Sequence, residues 1–168
     1  MKRLLSVLLC FAIFMGLLSV GVYAKSTKID LGLFPEDEIL ISQEIQILPN
    51  GSSLVISISQ ISNSSRSTTR TVSGTKTYSC RNGDGEIMWQ FMVHGTFSVV
   101  EGVSSTCTAV SHSYNISESS WSYVSGSSSR SGNKAIGHGE FKKKILLITV
   151  DTRECDVTLT CNSNGVLS

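Results

Sequence analysis

Apolar side chains at every second position are the feature that most constrains what this chain can fold into. The clearest run lies at residues 86–100, where polar and apolar residues alternate. Its apolar members are Ile87, Trp89, Phe91, Val93, Phe97 and Val99. A period of two is that of a β-strand, whereas a helix repeats about every 3.6 residues. The run therefore predicts a core strand with one buried face and one solvated face.

An earlier run that begins near Glu36 shows the same period. Its isoleucines are Ile39, Ile41, Ile45 and Ile47. They would share one face of a strand, and β-branched residues at this density favour a strand over the alternative of a helix. Asn50-Gly51 then separates this run from another at residues 54–58, which is a strong hairpin signal.

The stretch at residues 62–79 is rich in Ser, Thr and Arg and has almost no large apolar side chain. Threonines at alternate positions flank Gly74, so we predict two polar strands that turn near Ser73-Gly74. A low-complexity linker is the alternative.

Further short runs follow the core strand. They lie at residues 106–116, 120–124, 134–141, 145–150 and 155–161, with a glycine- and serine-rich turn at residues 126–133. Short strands at regular spacing are typical of a β-sandwich or a small barrel. We therefore predict an all-β fold, an antiparallel β-sandwich or small barrel stapled by disulfides. Residues 51–168 would form this domain, and residues 25–50 would be an N-terminal segment that could add a strand.

The first 24 residues have the three zones of a secretory signal peptide. Lys2 and Arg3 precede an apolar run at residues 4–18, and small residues allow a cut after Ala24. A retained membrane anchor is the alternative, because about 20 apolar residues are enough to span a bilayer. No second apolar segment follows, so we expect a cleaved signal, a secreted protein and no membrane span after cleavage.

Cleavage would change both the charge and the cysteine count. Losing Lys2 and Arg3 reduces the 14 basic residues to 12 against 13 acidic ones, a net charge of −1, and losing Cys10 leaves four cysteines. This balance gives no electrostatic case for nucleic acid. The 30 serines and 13 threonines instead suit the solvated faces and turns of a β-domain.

Four cysteines in an exported chain favour disulfides over a thiol catalyst or a zinc site. Cys155 and Cys161 lie on one predicted strand, so their Cα atoms would be roughly 20 Å apart and could not be bridged. Cys80 and Cys107 would then each bond one of these two. Of the two pairings left, we favour Cys107–Cys161 with Cys80–Cys155, which would tie the last strand to the middle of the domain.

The sequence shows no catalytic or metal-binding motif. His94, His112 and His138 fall on different predicted strands, and no serine lies in a G-x-S-x-G elbow. Oxygen-bearing side chains alternate at residues 82–86, but the twelve-residue calcium pattern is incomplete and a turn is expected. We therefore expect no enzyme activity, no cofactor and no metal.

Aromatic residues among hydroxyls are the candidate binding surface. Trp121 and Tyr123 share a face of a serine-rich strand, while Tyr114 and His112 lie together on the preceding one. Rings stack on sugars while polar groups bond the sugar hydroxyls, so these residues suggest a glycan site. The alternative is that the rings cap a thin core.

Three lysines at residues 142–144 directly precede the apolar residues 145–148. We interpret them as charges that protect an aggregation-prone strand. Attraction to an anionic wall or membrane surface is the alternative.

Several short motifs follow one another within residues 84–168. They are Trp89 before Gly95-Thr96-Phe97, then Thr106-Cys107-Thr108, Trp121, Ser131-Gly132-Asn133 and Leu159-Thr160-Cys161. In this set the C-terminal half resembles an uncharacterised family of small secreted Gram-positive bacterial proteins that carry a domain of unknown function. The resemblance implies no activity. It favours the Cys107–Cys161 bond and leaves Cys80 and Cys155 as additions of this chain.

These features predict an exported, non-catalytic β-sandwich that is a binding or structural module of the envelope or the medium. Its partner would be a cell-wall glycan or another envelope protein. A secreted hydrolase that uses one of the histidines, and a bacteriocin-like effector, are the alternatives.

Overall fold

The computed structural model describes residues 38–61 and 68–168, which form eight antiparallel strands in two sheets. The strands are β1 (Glu38–Ile47), β2 (Ser53–Ile61), β3 (Thr69–Arg81), β4 (Ile87–Val100), β5 (Ser104–Ile116), β6 (Trp121–Ser131), β7 (Lys134–Ile145) and β8 (Ile148–Thr160). The first five lie side by side in chain order, as do the last three. The predicted all-β, antiparallel architecture is confirmed. The predicted signal peptide, with its cut after Ala24, lies outside the described residues.

The two sheets pack face to face through the alternate apolar residues of β4. The ring of Trp89 stacks on Phe141 of β7, with ring centroids 4.0 Å apart. Tyr78 of β3 stacks on Trp89 at 5.8 Å. The largest fully buried side chains are Trp89, Phe91, Phe97, Phe141 and Leu159. Burying a side chain of this size stabilises a fold by about 1.5–3 kcal/mol. Three of these side chains are on β4, so the core strand predicted from the alternation is confirmed.

Glycines bring β7 close to β4. A Cβ atom at Gly137 would lie 2.3 Å from Cγ2 of Val93, and one at Gly139 would lie 2.8 Å from Cδ2 of Phe91. Atoms do not approach this closely, so the side chains of β4 occupy the space that side chains on β7 would need. The two glycines are therefore a packing requirement.

The β1 strand differs from its prediction in which side chains share a face. A bulge between Leu40 and Ser42 shifts its register against β2. Because strand side chains alternate, Ile39 faces the side of the sheet opposite to Ile45 and Ile47. All three are exposed, and β1 is the edge strand of its sheet.

The hairpin predicted at Asn50-Gly51 is confirmed. Gly51 has a φ of +79°, which is the left-handed region that glycine adopts without strain. Its amide donates to the carbonyl of Leu48 at 3.0 Å. This turn spans the boundary predicted between residues 50 and 51, and it joins the N-terminal segment to the sheet as β1.

The turn predicted near Ser73-Gly74 is wrong, because β3 runs unbroken through these residues. Gly74 is small for a different reason. A Cβ atom there would lie 2.4 Å from the carbonyl oxygen of Ser59 and 2.3 Å from Cδ1 of Leu167. Residues 62–67 of the same polar stretch lie outside the described residues.

Two further boundaries differ from their predictions. The serine-rich residues 126–131 are the second half of β6, and the turn is confined to Gly132-Asn133. The pattern of residues 145–150 predicts a strand, but Leu146 and Leu147 form the turn between β7 and β8. The first turn therefore lies at the C-terminal end of the predicted segment, whereas the second lies at two leucines, where neither composition nor hydropathy indicates a turn.

The last residues of the chain return to the inner face of β3. Leu167 pairs with Cys161 through an isolated bridge, and its side chain is buried against Gly74. Arg70 of β3 donates to the carbonyl of Asn164 at 2.7 Å. The described residues include no helix of the length and hydropathy that crossing a membrane requires.

We expect Gly137→Ala to lower the free energy of unfolding by about 1–3 kcal/mol, because the added methyl would overlap Val93 in a packed core. Urea denaturation measures the change. Gly83→Ala is the matched control, since the nearest atom to its new Cβ would be 3.8 Å away, and it should stay within about 0.5 kcal/mol of the wild type. Equal stability of the two variants would contradict the close approach of the sheets.

Candidate functional site

Two of the predicted aromatic residues meet where the chain passes from β5 to β6. Tyr114 and Tyr123 stack with ring centroids 3.8 Å apart and planes 13° apart. Tyr123 is partly buried, and its ring lies 5.5 Å from Phe141 in an edge-on arrangement. Tyr114 is 49% exposed, so one face of its ring is packed while the rest of the side chain is accessible.

His112 and Gly126 hold Tyr123 in this position. The Tyr123 hydroxyl lies 3.3 Å from Nε2 of His112, whose ring stacks on Phe91. A Cβ atom at Gly126 would lie 2.3 Å from that hydroxyl, so only glycine leaves room for it. Burial, and then the neighbouring Tyr114, raise the pKa of the Tyr123 phenol, which therefore stays neutral and able to hydrogen-bond.

Trp121, the third predicted binding residue, lies in the core. Its side chain is 5% exposed and its ring centroid lies 5.8 Å from that of Trp89. The ammonium of Lys143 lies 5.9 Å from the ring centroid. This placement leaves no open ring face for a sugar, so the accessible part of the predicted surface is the Tyr114–Tyr123 pair.

A row of polar side chains crosses the outer face of the five-stranded sheet, which is the face turned away from the core. Thr75 of β3 donates to Oε1 of Glu38 at 2.9 Å, and its oxygen lies 3.0 Å from Nδ1 of His94. Nε2 of His94 lies 2.8 Å from Oγ of Ser113 on β5. Sequence patterning placed His94 on the polar face of its strand, but it gave no signal for its partners. They are brought together by the register of four strands.

The hydrogen bonds of this row fix the tautomer of the neutral imidazole. The only proton of the Thr75 hydroxyl goes to Glu38, so Thr75 accepts the proton of Nδ1. Nε2 is then the unprotonated nitrogen, and it accepts from Ser113. Burial lowers the pKa of His94 and so favours the neutral imidazole. The Glu38 carboxylate opposes this shift.

The three histidines do not form a common site. His112 packs between Phe91 and Tyr123 on the inner side of the sheet. His138 is on β7, where its Nδ1 lies 2.9 Å from a carboxylate oxygen of Asp156. Each ring therefore has a separate role in holding strands together.

Residues 82–86 form the predicted turn before β4. Oδ1 of Asn82 accepts the amides of Asp84 and Glu86 at 3.1 and 2.8 Å. The side-chain amide nitrogen Nδ2 of Asn82 donates to Oε2 of Glu86 at 3.0 Å. Within residues 38–61 and 68–168 no group of three or more His, Cys, Asp and Glu side chains is placed to hold a metal ion.

The four predicted disulfide cysteines are buried, unbonded thiols in the structure. Cys107 and Cys161 both donate their backbone amides to carbonyls of the turn between β6 and β7, at 2.8 and 3.1 Å. Burial raises the pKa of Cys80 to about 11 and that of Cys155 to about 12, so both thiols stay protonated near neutral pH. The structure does not support the predicted stapling by disulfides, which stays a prediction.

A shallow cleft of about 220 Å³ opens beside Trp121, Lys143 and Arg153. Ligand pockets usually enclose roughly 300–1,000 Å³, so the cleft is small for an organic ligand. Neither Ser113 nor Tyr114 lines it.

No family model matches the chain, and no curated protein or solved structure is significantly similar to it. The resemblance of residues 84–168 to small secreted Gram-positive proteins therefore stays a prediction.

We expect His94 to make stability depend on pH. The pKa of the imidazole is lower in the folded protein than the ordinary 6.5, so the unfolded chain takes up this proton more readily. The contribution of His94 to the free energy of unfolding is complete above pH 6.5. It is lost as the pH falls from 6.5 through the lower pKa that His94 has in the folded protein. Thermal melts between pH 7 and pH 5 should therefore show a larger decrease for the wild type than for His94→Gln. Parallel pH profiles for the two proteins would rule out this role.

Proposed function

We propose that the protein is an exported, non-catalytic β-sandwich that binds a cell-wall glycan outside the cell, with Tyr114 as the ring on which a sugar stacks. The observation that carries the proposal is the packing of this ring. One face is held against Tyr123 at 3.8 Å, yet about half of the side chain is exposed. A ring that is already fixed loses little conformational freedom when a ligand covers it.

The electrostatics of the ring also favour a sugar. The face of an aromatic ring is slightly negative and attracts the slightly positive hydrogens on the apolar face of a sugar. Tyr114 offers such a face beside the neutral hydroxyl of Tyr123, which is partnered by His112. A flat platform at the side of a sandwich suits a polymer such as a cell-wall glycan, because a long chain does not need an enclosed pocket.

Export is supported by the N-terminal pattern of Lys2 and Arg3, the apolar run and Ala24. The exported form would carry disulfides between Cys107 and Cys161 and between Cys80 and Cys155. Burial has the largest effect on the pKa of Cys107 and raises it, while Arg130 lowers it. The Cys161 thiol also raises this pKa, so the two thiols are within electrostatic reach. Burial is the main cause that raises the pKa of the Tyr78 phenol, and Cys155 and Cys80 raise it further. Both thiols therefore lie near this one side chain.

We expect secreted protein to begin at Lys25 and to be lighter by four hydrogens than its reduced form. Intact mass spectrometry measures both properties. Peptide mapping without reductant should give Cys107–Cys161 and Cys80–Cys155 and no Cys155–Cys161 link, since those two residues lie at the two ends of an extended segment. Free thiols in the secreted protein would contradict the pairing.

We expect Tyr114→Ala to weaken binding to insoluble peptidoglycan by about two- to tenfold. This factor corresponds to the free energy typical of one aromatic contact. Sedimentation with purified peptidoglycan measures the bound fraction. Tyr114→Phe keeps the ring and should bind like the wild type. Val124→Ala removes an exposed apolar side chain from the neighbouring strand and is the control for non-specific effects. If Tyr114→Ala binds as well as the control, the platform is not the site.

The alternative of a secreted hydrolase has one specific contact in its favour. Oγ of Ser113 lies 2.8 Å from the unprotonated nitrogen of His94, as a nucleophile and its base would. The pair lies on a sheet face, and neither residue lines the cleft beside Trp121. Covalent labelling of wild-type protein, but not of Ser113→Ala, by a fluorophosphonate would overturn the non-catalytic part of the proposal.

A further inference from the structure

The turn between β7 and β8 is the most exposed apolar feature of the described residues. Leu146 is 91% exposed and Leu147 is 96% exposed. Ile145 and Ile148, which pair across the end of the hairpin, are also exposed, as is Val150. Five large apolar side chains thus surround one narrow tip, which we call the apolar tip.

The backbone of the apolar tip shows that its leucines are not there for local structure. Leu146 and Leu147 have φ values of +48° and +70°, as the central residues of a type I′ hairpin turn must. Such turns strongly prefer Asn-Gly, because residues with bulky side chains are strained at positive φ. The chain therefore keeps two leucines in water at positions where backbone preference and hydration both favour other residues.

Lysines surround the hairpin directly behind the apolar tip. Nζ of Lys142 lies 2.9 Å from Glu140, and Nζ of Lys143 lies 3.3 Å from Glu118. Lys144 is exposed and has no ion-pair partner within the described parts of the chain. The side chains of these two pairs are 24–38% exposed, and ion pairs that water still reaches contribute only modest stability, so these ammonium groups can exchange a carboxylate for another anion at modest cost.

We propose that the apolar tip docks the protein on an anionic lipid bilayer, with the leucines among the acyl chains and the lysines at the phosphate level. A flat protein partner would cover the tip from one side only, whereas an apolar medium surrounds side chains that are more than 90% exposed. The Ile145–Ile148 pair closes the hairpin immediately behind the turn, so few unpaired backbone groups would enter the bilayer. Strands rise about 3.3 Å per residue, which places the lysines roughly 7–13 Å behind the leucines and near the headgroups of an interfacially docked protein.

The experiment uses flotation of the full secreted protein with vesicles of phosphatidylcholine containing 30 mol% (about a third) phosphatidylglycerol, an anionic lipid composition chosen to attract lysines. The key variant is Leu146→Asn with Leu147→Gly. It replaces the leucines with the residues that the turn prefers, so it should fold at least as stably as the wild type while binding the vesicles more than tenfold more weakly. Lys144→Gln should weaken binding about fivefold on these vesicles and should not change binding to pure phosphatidylcholine.

Val103→Ser is the matched control, because Val103 is an exposed apolar residue in a different hairpin turn and should not affect vesicle binding. Thermal melts establish that each variant is folded. The proposal is overturned if the Asn-Gly variant binds vesicles like the wild type, or if the wild type does not bind. It is also overturned if the tip instead mediates self-association that the Asn-Gly variant loses in the absence of lipid. Because these residues are separate from Tyr114, the result does not depend on the glycan proposal.

Discussion

The stacked rings of Trp89 and Phe141 set the distance between the two sheets, and the exposed aromatic platform depends on that distance. Phe141 also contacts Tyr123, which in turn stacks on Tyr114, so aromatic contacts run without a break from the core to the surface. Each ring is positioned by the one before it, and no flexible loop is needed to orient the outermost ring. The glycines of β7 take part in the same arrangement, because they let the sheets approach closely enough for the rings to meet.

The other face of the five-stranded sheet is organised by hydroxyl groups. Thr75, Thr77 and Ser79 of β3 are buried, and Nε2 of Gln90 donates to Oγ of Ser79 across the strands at 3.0 Å. Threonine is favoured in the backbone conformation of a strand, and its hydroxyl can hydrogen-bond to side chains on the neighbouring strands. Part of the Ser and Thr content of the chain is thus used in side-chain bonds between neighbouring strands.

Sequence patterning predicted those parts of the fold in which one face of a strand is buried. The alternation around Phe91 identified β4, and the Asn-Gly pair before Ser52 identified the first hairpin. It failed where a local irregularity changes the pattern, as at the bulge after Leu40. It also failed where packing overrides composition, as at Gly74, which reads as a turn but is a strand position without room for a side chain.

The candidate site was predictable only in part for a related reason. Patterning placed Trp121 and Tyr123 on one face of a strand, and that face is the inward one, so Trp121 is buried. The contact between Tyr114 and Tyr123 joins two sheets, and the partners of His94 come from three other strands. Such contacts depend on strand register and sheet packing, which the spacing of residues along one strand does not contain.

The return of the C-terminal residues to β3 has a consequence for the order in which the molecule can assemble. Arg70 and the carbonyl that it contacts are 94 residues apart in the chain, and the space beside Gly74 is filled by Leu167. Neighbouring strands can pair as soon as they emerge, because within residues 38–61 and 68–168 the paired strands are consecutive in the chain. The cover over β3, in contrast, is supplied by residues that are synthesised near the end of the described chain. A chain emerging from a ribosome would therefore form hairpins early but complete the core beside β3 only once residues 164–167 are free.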